Sequence, residues 1–306
     1  MSAATTAAKP RSPRLRTPRW AEARSAFILV APFCFLLLVA GVIPMAYGIY
    51  ISLEEPTGGY GLSAYERIIG DFRFVDTFVH ILITLLVWIP IMMFGVVGLA
   101  LLVYATPGRY GSTSRFIYYM PGALAGIANI MLWLFILNPG QSPLDPLWDF
   151  LGYTNLNQVA QPDHLPVILT GILFLQGAGT WLVIMNGGLN GISEEIMEAA
   201  TVDGAGKVSV AWHIQLPIIR PWIGYMALLN MAYGFQLFIE VQVLSIVTHG
   251  LISPQWTPNQ LSYTYAFQIL DTPAAAAMAV ILLGISLAIG LLVIERSGLF
   301  NDADTA

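Results

Sequence analysis

The sequence predicts an all-α integral membrane protein with six transmembrane helices. Three observations carry that fold class. Hydrophobic residues make up 57% of the 306-residue chain and charged residues only 10%, against about 25% charged in an ordinary soluble domain. The mean hydropathy is +0.70, so lipid has to solvate most of the surface. Six stretches are apolar over the roughly 20 residues that a helix needs to cross the hydrocarbon core.

Residues 1–25 read as a basic cytoplasmic tail, and residues 1–18 as disordered. The cations are Lys9, Arg11, Arg14, Arg16, Arg19 and Arg24. A signal peptide is basic there too, but its apolar core spans about 7–15 residues. The apolar run here extends over 26–53 and has no small-residue cleavage motif, so it is expected to be an uncleaved first span. The other five spans are expected near 78–104, 115–137, 165–189, 220–247 and 273–294. The third and fourth contain polar residues and glycines, which suits helices that face other helices. Pro32, Pro44, Pro90 and Pro121 lie in or near spans. Membrane helices tolerate such prolines because neighbouring groups re-satisfy the freed carbonyls. The transmembrane domain then covers 26–297, and 298–306 form a short cytoplasmic tail.

The positive-inside rule sets the orientation. With the N-terminus inside, the inside segments hold the six tail cations plus Arg109, Arg115, Lys207, Arg220 and Arg296. The outside segments, 54–77, 138–164 and 248–272, hold only Arg67 and Arg73. Six spans return the C-terminus to the cytoplasm. Cys34 is the single cysteine, which excludes an internal disulfide and a cysteine metal cluster.

Between spans four and five lies a polar insert, residues 191–221, containing "EAATVDGAGKVSVAWHIQLPIIRP". Ser193 is the expected N-cap of a short helix, with Glu194 and Glu195 in its first turn, where the helix dipole favours negative charge. That helix is expected to run to about Asp203, and Gly204 and Gly206 to turn the chain. A second helix is expected from Lys207 to about Gln215, with Pro217 and Pro221 punctuating the approach to span five. On these residues alone the insert is equally an ordinary connecting loop. Its "GAGKVS" string is not a phosphate loop: Thr201 stands where the first glycine belongs and Val208 where Ser or Thr would bind magnesium.

Span five carries Asn230, Tyr233, Gln236 and Glu240, which fall within about 120° of one face of a regular helix. A carboxylate at the bilayer centre costs roughly 2.5–3.5 kcal/mol on insertion scales, which argues for an aqueous or protein-lined face. Helix–helix hydrogen bonding is the other reading of the same set. Asn129 and Trp133 in span three, and Gln176 and Trp181 in span four, are further polar or amphipathic groups. Met185, Met226 and Met231 read as packing. His80, His164, His213 and His249 have no metal-ligand spacing.

The insert resembles the EAA loop of ABC importer permeases. Glu198, Ala199, Ala200, Asp203, Gly204, Ala205, Ile214, Leu216, Pro217 and Pro221 match that pattern. "APFCFLLLVAGVIPMAYGIYISL", "SRFIYYMPGALAGIANIMLWLFILNPG" and "GLNGISEEIMEAATVDGA" resemble further blocks of the sugar-type members, maltose-type or glycerol-3-phosphate-type, so that the likeness covers about 26–295. Two stretches depart from the pattern. Val208 and Ala211 stand where the family has aromatic residues, with Trp212 one place on, and the last outside loop reads "THGLISPQWTPNQ".

The resemblance implies a cytoplasmic coupling helix that seats in a cleft of a separate ATPase. Its docking residues would be Glu198, Ala199, Ala200, Asp203, Gly204, Ala205, Leu216 and Pro217, with Glu198 facing a basic partner and Asp203 bracing the turn. It implies a permease subunit of a bacterial or archaeal plasma (inner) membrane importer, forming half of the pathway for a sugar or oligosaccharide. Asn230, Tyr233, Gln236 and Glu240 would then meet the sugar. The implied partners are a second permease, two ATPase subunits and an extracytoplasmic binding protein, with membrane lipid around them and no nucleic acid. The chain itself would bind no cofactor, ATP and magnesium sitting on the ATPase. The EAA loop is shared by carriers of glycerophosphodiesters, polyamines and phosphate, so the solute stays open among these. A membrane enzyme would need a reactive constellation, and neither H-E-x-x-H nor G-x-S-x-G occurs. A secondary transporter would show internal duplication, and none is evident.

Overall fold

The computed structural model describes residues 19–106, 113, 116–118, 120, 122 and 127–297. Their regular structure is helical, and no strand forms among them beyond an isolated bridge between Glu54 and Tyr60. The chain divides into two units, Met1–Tyr50 and Ile51–Ala306. The first holds α1 (Arg19–Leu37), a π turn (Leu38–Val42) and most of α2 (Ile43–Ser52). Together Phe27–Ser52 are long and apolar enough to cross a membrane. In the π turn Ile43 N–H donates to Leu38 O, five residues back, and Pro44, which has no N–H to donate, follows immediately.

The second unit runs α3 (Ser63–Ile69), α4 (Arg73–Tyr104), α5 (Ile127–Leu137), α6 (Asp145–Leu151), α7 (Leu156–Val159), α8 (Leu165–Asn190), α9 (Glu194–Val202), α10 (Lys207–Val210), α11 (Leu216–Gly234), α12 (Ile239–Val247), α13 (Pro258–Tyr263) and α14 (Thr272–Ser297). Its centre is the pair α4 and α8. Along α4, Ile81, Leu85, Trp88, Met92, Val96 and Ala100 are buried at helical spacing. They meet a layer of α8 that includes Leu169, Ile172, Leu173, Leu182, Met185 and Leu189. Small residues bring the backbones together: a Cβ at Gly95 would come 2.6 Å from Phe174, and one at Gly177 2.6 Å from Met92. The helix α11 packs on both α4 and α8, and α14 closes against α11, α13 and α3.

Four helices, or five if a bent pair counts as one span, are long and apolar enough to cross a membrane among the described residues. Three of the expected spans appear as Arg73–Tyr104, Pro162–Asn190 and Thr272–Glu295. The third expected span is described only over Ile127–Leu137, and the rest of 115–137 falls largely outside the described residues. The fifth is not one continuous helix. It breaks after Gly234 and resumes at Ile239 with a 46° bend.

The expected stop between the insert and span five does not occur. Lys207–Val210, a π turn over Ala211–Gln215 and Leu216–Gly234 follow one another as continuous helical structure. Leu216 N–H donates to Ala211 O, so the ladder widens just before Pro217. Pro217 has no N–H to donate to that ladder, and Pro221 sits inside α11. A third π turn, Thr264–Ile269, ends at Leu270 in the left-handed region.

The segments 54–77 and 248–272, expected on the same side of the membrane, meet in a network of ion pairs. Arg67 holds Asp271 with two bonds of 2.8 and 3.1 Å, and Asp271 in turn accepts the Ala274 N–H in the first turn of α14. Asp71 accepts from the Arg73 guanidinium at 2.6 and 2.9 Å and from the Tyr265 hydroxyl at 2.8 Å. The Arg73 side chain, its backbone N–H and the Tyr265 hydroxyl hold the Asp71 carboxyl down to about 2. Burial and the Asp71 charge push Tyr265 up to about 12. A depressed carboxyl stabilises the fold above its unfolded value near 3.8 and loses that contribution as pH falls toward 2. The thermal midpoint of the purified protein is therefore expected to drop between about pH 4 and pH 2, with Asp71→Asn lacking that part of the drop. Identical acid profiles for the two proteins would remove the role given to Asp71.

Candidate functional site: a broken span and an exposed loop

The loop end is built by local rules. The helix α9 begins after Ser193, which is extended as an N-cap should be, but its hydroxyl makes no capping bond. The helix ends in a Schellman turn: Gly204 N–H donates to Thr201 O at 3.1 Å and Ala205 N–H to Ala200 O at 2.9 Å. Gly204 has φ +74°, the left-handed conformation that a side chain resists. The motif Asp203-Gly204-Ala205 is thus a helix stop that reverses the chain into α10.

Of the residues singled out in this loop, Glu198, Ala199, Asp203, Gly204 and Pro217 are exposed, Ala205 and Leu216 half-buried, and Ala200 buried. Ala200 therefore packs within the chain. The departures from the family pattern are Val208 and Ala211, with Trp212 one place on, and Val202 is not among the matched positions. The most exposed large apolar residues of the loop are Val202 at 87%, Val208 at 83% and Trp212 at 69%. Trp212 falls inside the π turn, where one additional residue is taken into the helix.

The second site is the break in span five. Gly234 ends α11 and α12 starts after Phe238. A carbonyl freed by the break, Phe235 O, accepts from Asn259 Nδ2 at 2.8 Å, and Gln260 Nε2 donates to Gln242 Oε1 at 3.1 Å. The helix α13, opened by a Thr257–Gln260 capping box, therefore braces the break from the loop 248–272.

The break brings the Tyr233 hydroxyl to Glu240, donating to Oε1 at 3.2 Å. Glu240 is buried, 7% exposed, in the first turn of α12. Gln176 of α8 lies near the Tyr233 hydroxyl. Asn129 Nδ2 of α5 donates to Gln176 Oε1 at 3.4 Å. A polar line thus crosses four helices, Asn129–Gln176–Tyr233–Glu240. Trp88 lies edge-on to the Tyr233 ring at 6.2 Å, buried with its indole N–H unpaired among the described residues. The other two residues of the expected face sit differently. Asn230 is buried and donates to Met226 O at 2.8 Å. Gln236 is exposed and its Nε2 donates to Ala232 O at 3.3 Å. No group of three or more metal-ligating side chains occurs among the described residues.

The chain is similar to known proteins over most of its length. The family profile described as "Binding-protein-dependent transport system inner membrane component" matches residues 60–296. A sn-glycerol-3-phosphate transport system permease protein UgpA of Pectobacterium atrosepticum is 25% identical over 279 residues, covering 88% of this chain and 92% of the relative. That of Salmonella typhi is 25% identical over 266 residues, covering 84% and 88%. Among solved structures, a bacterial ABC transporter involved in the import of the acidic polysaccharide alginate matches with a TM-score of 0.76 at 19% identity, over 92% of this chain and 98% of that one. A bacterial alginate ABC transporter in complex with an alginate pentasaccharide-bound periplasmic protein matches at 0.77 and 17% identity, over 91% and 96%.

Proposed function

Since the chain belongs to the family of binding-protein-dependent transport system inner membrane components, whose profile spans 60–296, we propose that it is one of two permease subunits of an ATP-driven ABC importer. It forms half of the path for a sugar or related polyhydroxylated solute. The observation that carries this reading is the family membership joined to the loop 191–221, which presents Glu198, Val202, Val208 and Trp212 outward from a compact helix–turn–helix. An exposed acid among apolar side chains suits a cleft on a cytoplasmic ATPase. Two such ATPase subunits bind ATP and magnesium, and this chain binds neither. Six spans place both termini and the loop in the cytoplasm.

An extracytoplasmic binding protein delivers the solute to the opposite face. The path runs past the break of span five. Interrupted helices are where membrane carriers place polar groups against a solute, and Tyr233, Gln236 and Glu240 offer hydrogen-bonding groups together with an aromatic face. The solute class rests on the names of the relatives and on these side chains.

Crosslinking tests the assembly. A single thiol placed at Ala199→Cys in a Cys34→Ser background is expected to crosslink to a cytoplasmic ATPase subunit, and the product to co-purify with a second permease. The exposed Ala199 is the site of choice because Ala200 is buried. A folded chain that purifies alone and gives no ATPase adduct would remove the importer reading.

A further inference from the structure

Glu240 is the one Asp, Glu, Lys or Arg between the ends of the six apolar stretches. The segments 27–52, 77–104, 116–137, 165–190, 221–239, 241–247 and 272–294 contain none. The described cations lie at the ends of spans or outside them. Arg67 and Arg73 are tied to Asp271 and Asp71, and Lys207 and Arg220 belong to the loop and the first turns of the helix that leaves it. The carboxylate at the break therefore has no opposing charge along the spans.

It is nonetheless firmly placed. The Tyr233 hydroxyl donates to it, and the Tyr233 ring is held edge-on by the buried Trp88. It stands in the first turn of the nine-residue α12, where a negative charge complements the helix dipole. A buried acid with no cation beside it is expensive in a membrane protein and marks a functional position. The Tyr233 side chain that meets it is exposed, as is Gln236 within the break. A single-signed charge in a low-dielectric channel concentrates ions of the opposite sign and excludes those of its own.

We infer that Glu240 is a charge-selecting residue of the pathway, which admits neutral polyhydroxylated or cationic solutes and rejects anions. This rests on the proposal that the break of span five lines the path, and it narrows the solute class within that proposal. The inferred solute class differs from the solutes in the names of similar proteins, sn-glycerol 3-phosphate and the acidic polysaccharide alginate, both anions. The carboxylate would accept hydrogen bonds from sugar hydroxyls or hold an ammonium group, and would repel a phosphate or uronate.

The test needs no identified cargo. Gln236→Cys is introduced with Cys34→Ser, leaving one thiol at the exposed position within the break, four residues before Glu240 in the chain. In membranes holding the complete transporter, the thiol is reacted with methanethiosulfonates bearing a trimethylammonium or a sulfonate group. The rate ratio is corrected by that of a free small thiol in the same buffer. The expected result is a preference for the cationic reagent of at least about tenfold, which Glu240→Gln lowers to within about twofold of unity, the amide keeping the shape and the bond from Tyr233. Reaction with both reagents at a corrected ratio near one, or a preference that survives Glu240→Gln, overturns the charge selection and leaves the pathway reading standing. Failure of both reagents to react, in a transporter that still purifies as an intact complex, overturns the pathway reading and the charge selection with it.

Discussion

Replacing Gly234 with leucine is expected to abolish uptake, with a drop of well over tenfold, and to lower the thermal midpoint of the purified transporter. Gly234 is the last residue of α11, and a Cβ built there runs into Leu85 and comes within 3.5 Å of Trp88. Both neighbours are buried in α4, so neither can swing into solvent. Overpacking of a well-filled core costs about 1–3 kcal/mol. Here the strain is relieved where the chain is least regular, at the break that follows, and that moves the Tyr233–Glu240 pair. Alanine is the graded control: one methyl group is met mainly by the tip of Leu85, and a loss smaller than that of leucine is expected. Uptake by Gly234→Leu at the wild-type rate would show that the close approach of α11 to α4 is not required.

Glu198→Lys is expected to uncouple the transporter. The glutamate is exposed on α9, so the substitution leaves the core of this chain unaltered and membrane insertion intact. Reversing a charge that faces a basic group on a partner typically costs 2–5 kcal/mol, about 30-fold or more in occupancy. In proteoliposomes, solute-stimulated ATP hydrolysis and uptake should fall together while the amount of folded permease is unchanged. Uptake at the wild-type rate would withdraw Glu198 from the docking surface.

The elements that the sequence predicted well are those governed by composition and by local chemistry. The apolar stretches at 78–104, 165–189 and 273–294 are helices within a few residues of the expected limits, because length and hydropathy suffice to define them. The turn at Gly204 was legible for the same reason, since only glycine adopts the left-handed conformation freely. What was not legible depends on partners distant in sequence. The four polar residues of span five fall on one face of a regular helix, and that pattern gives no sign of the break after Gly234. That break is held by Asn259 and Gln260, which lie in a loop with no periodic signal. The meeting of Asn129 and Gln176 with Tyr233 is likewise tertiary: each was noted singly, and nothing in the spacing joins them. The π turn at Ala211–Gln215, in which Trp212 lies, also has no periodic signal in the sequence.

The uninterrupted helical path from Lys207 to Gly234 has a mechanical consequence. At 1.5 Å per residue it is a rod of roughly 40 Å, with the exposed loop at one end and the Tyr233–Glu240 break at the other. A loop joint would absorb a push in slack, whereas a rod turns it into a stroke: tilting by about 5° sweeps the far end through roughly 3.5 Å over that length. That is more than a hydrogen-bond length. The hydroxyl–carboxylate bond at the break can thus be made or broken by a rotation of a few degrees about the loop end of the rod.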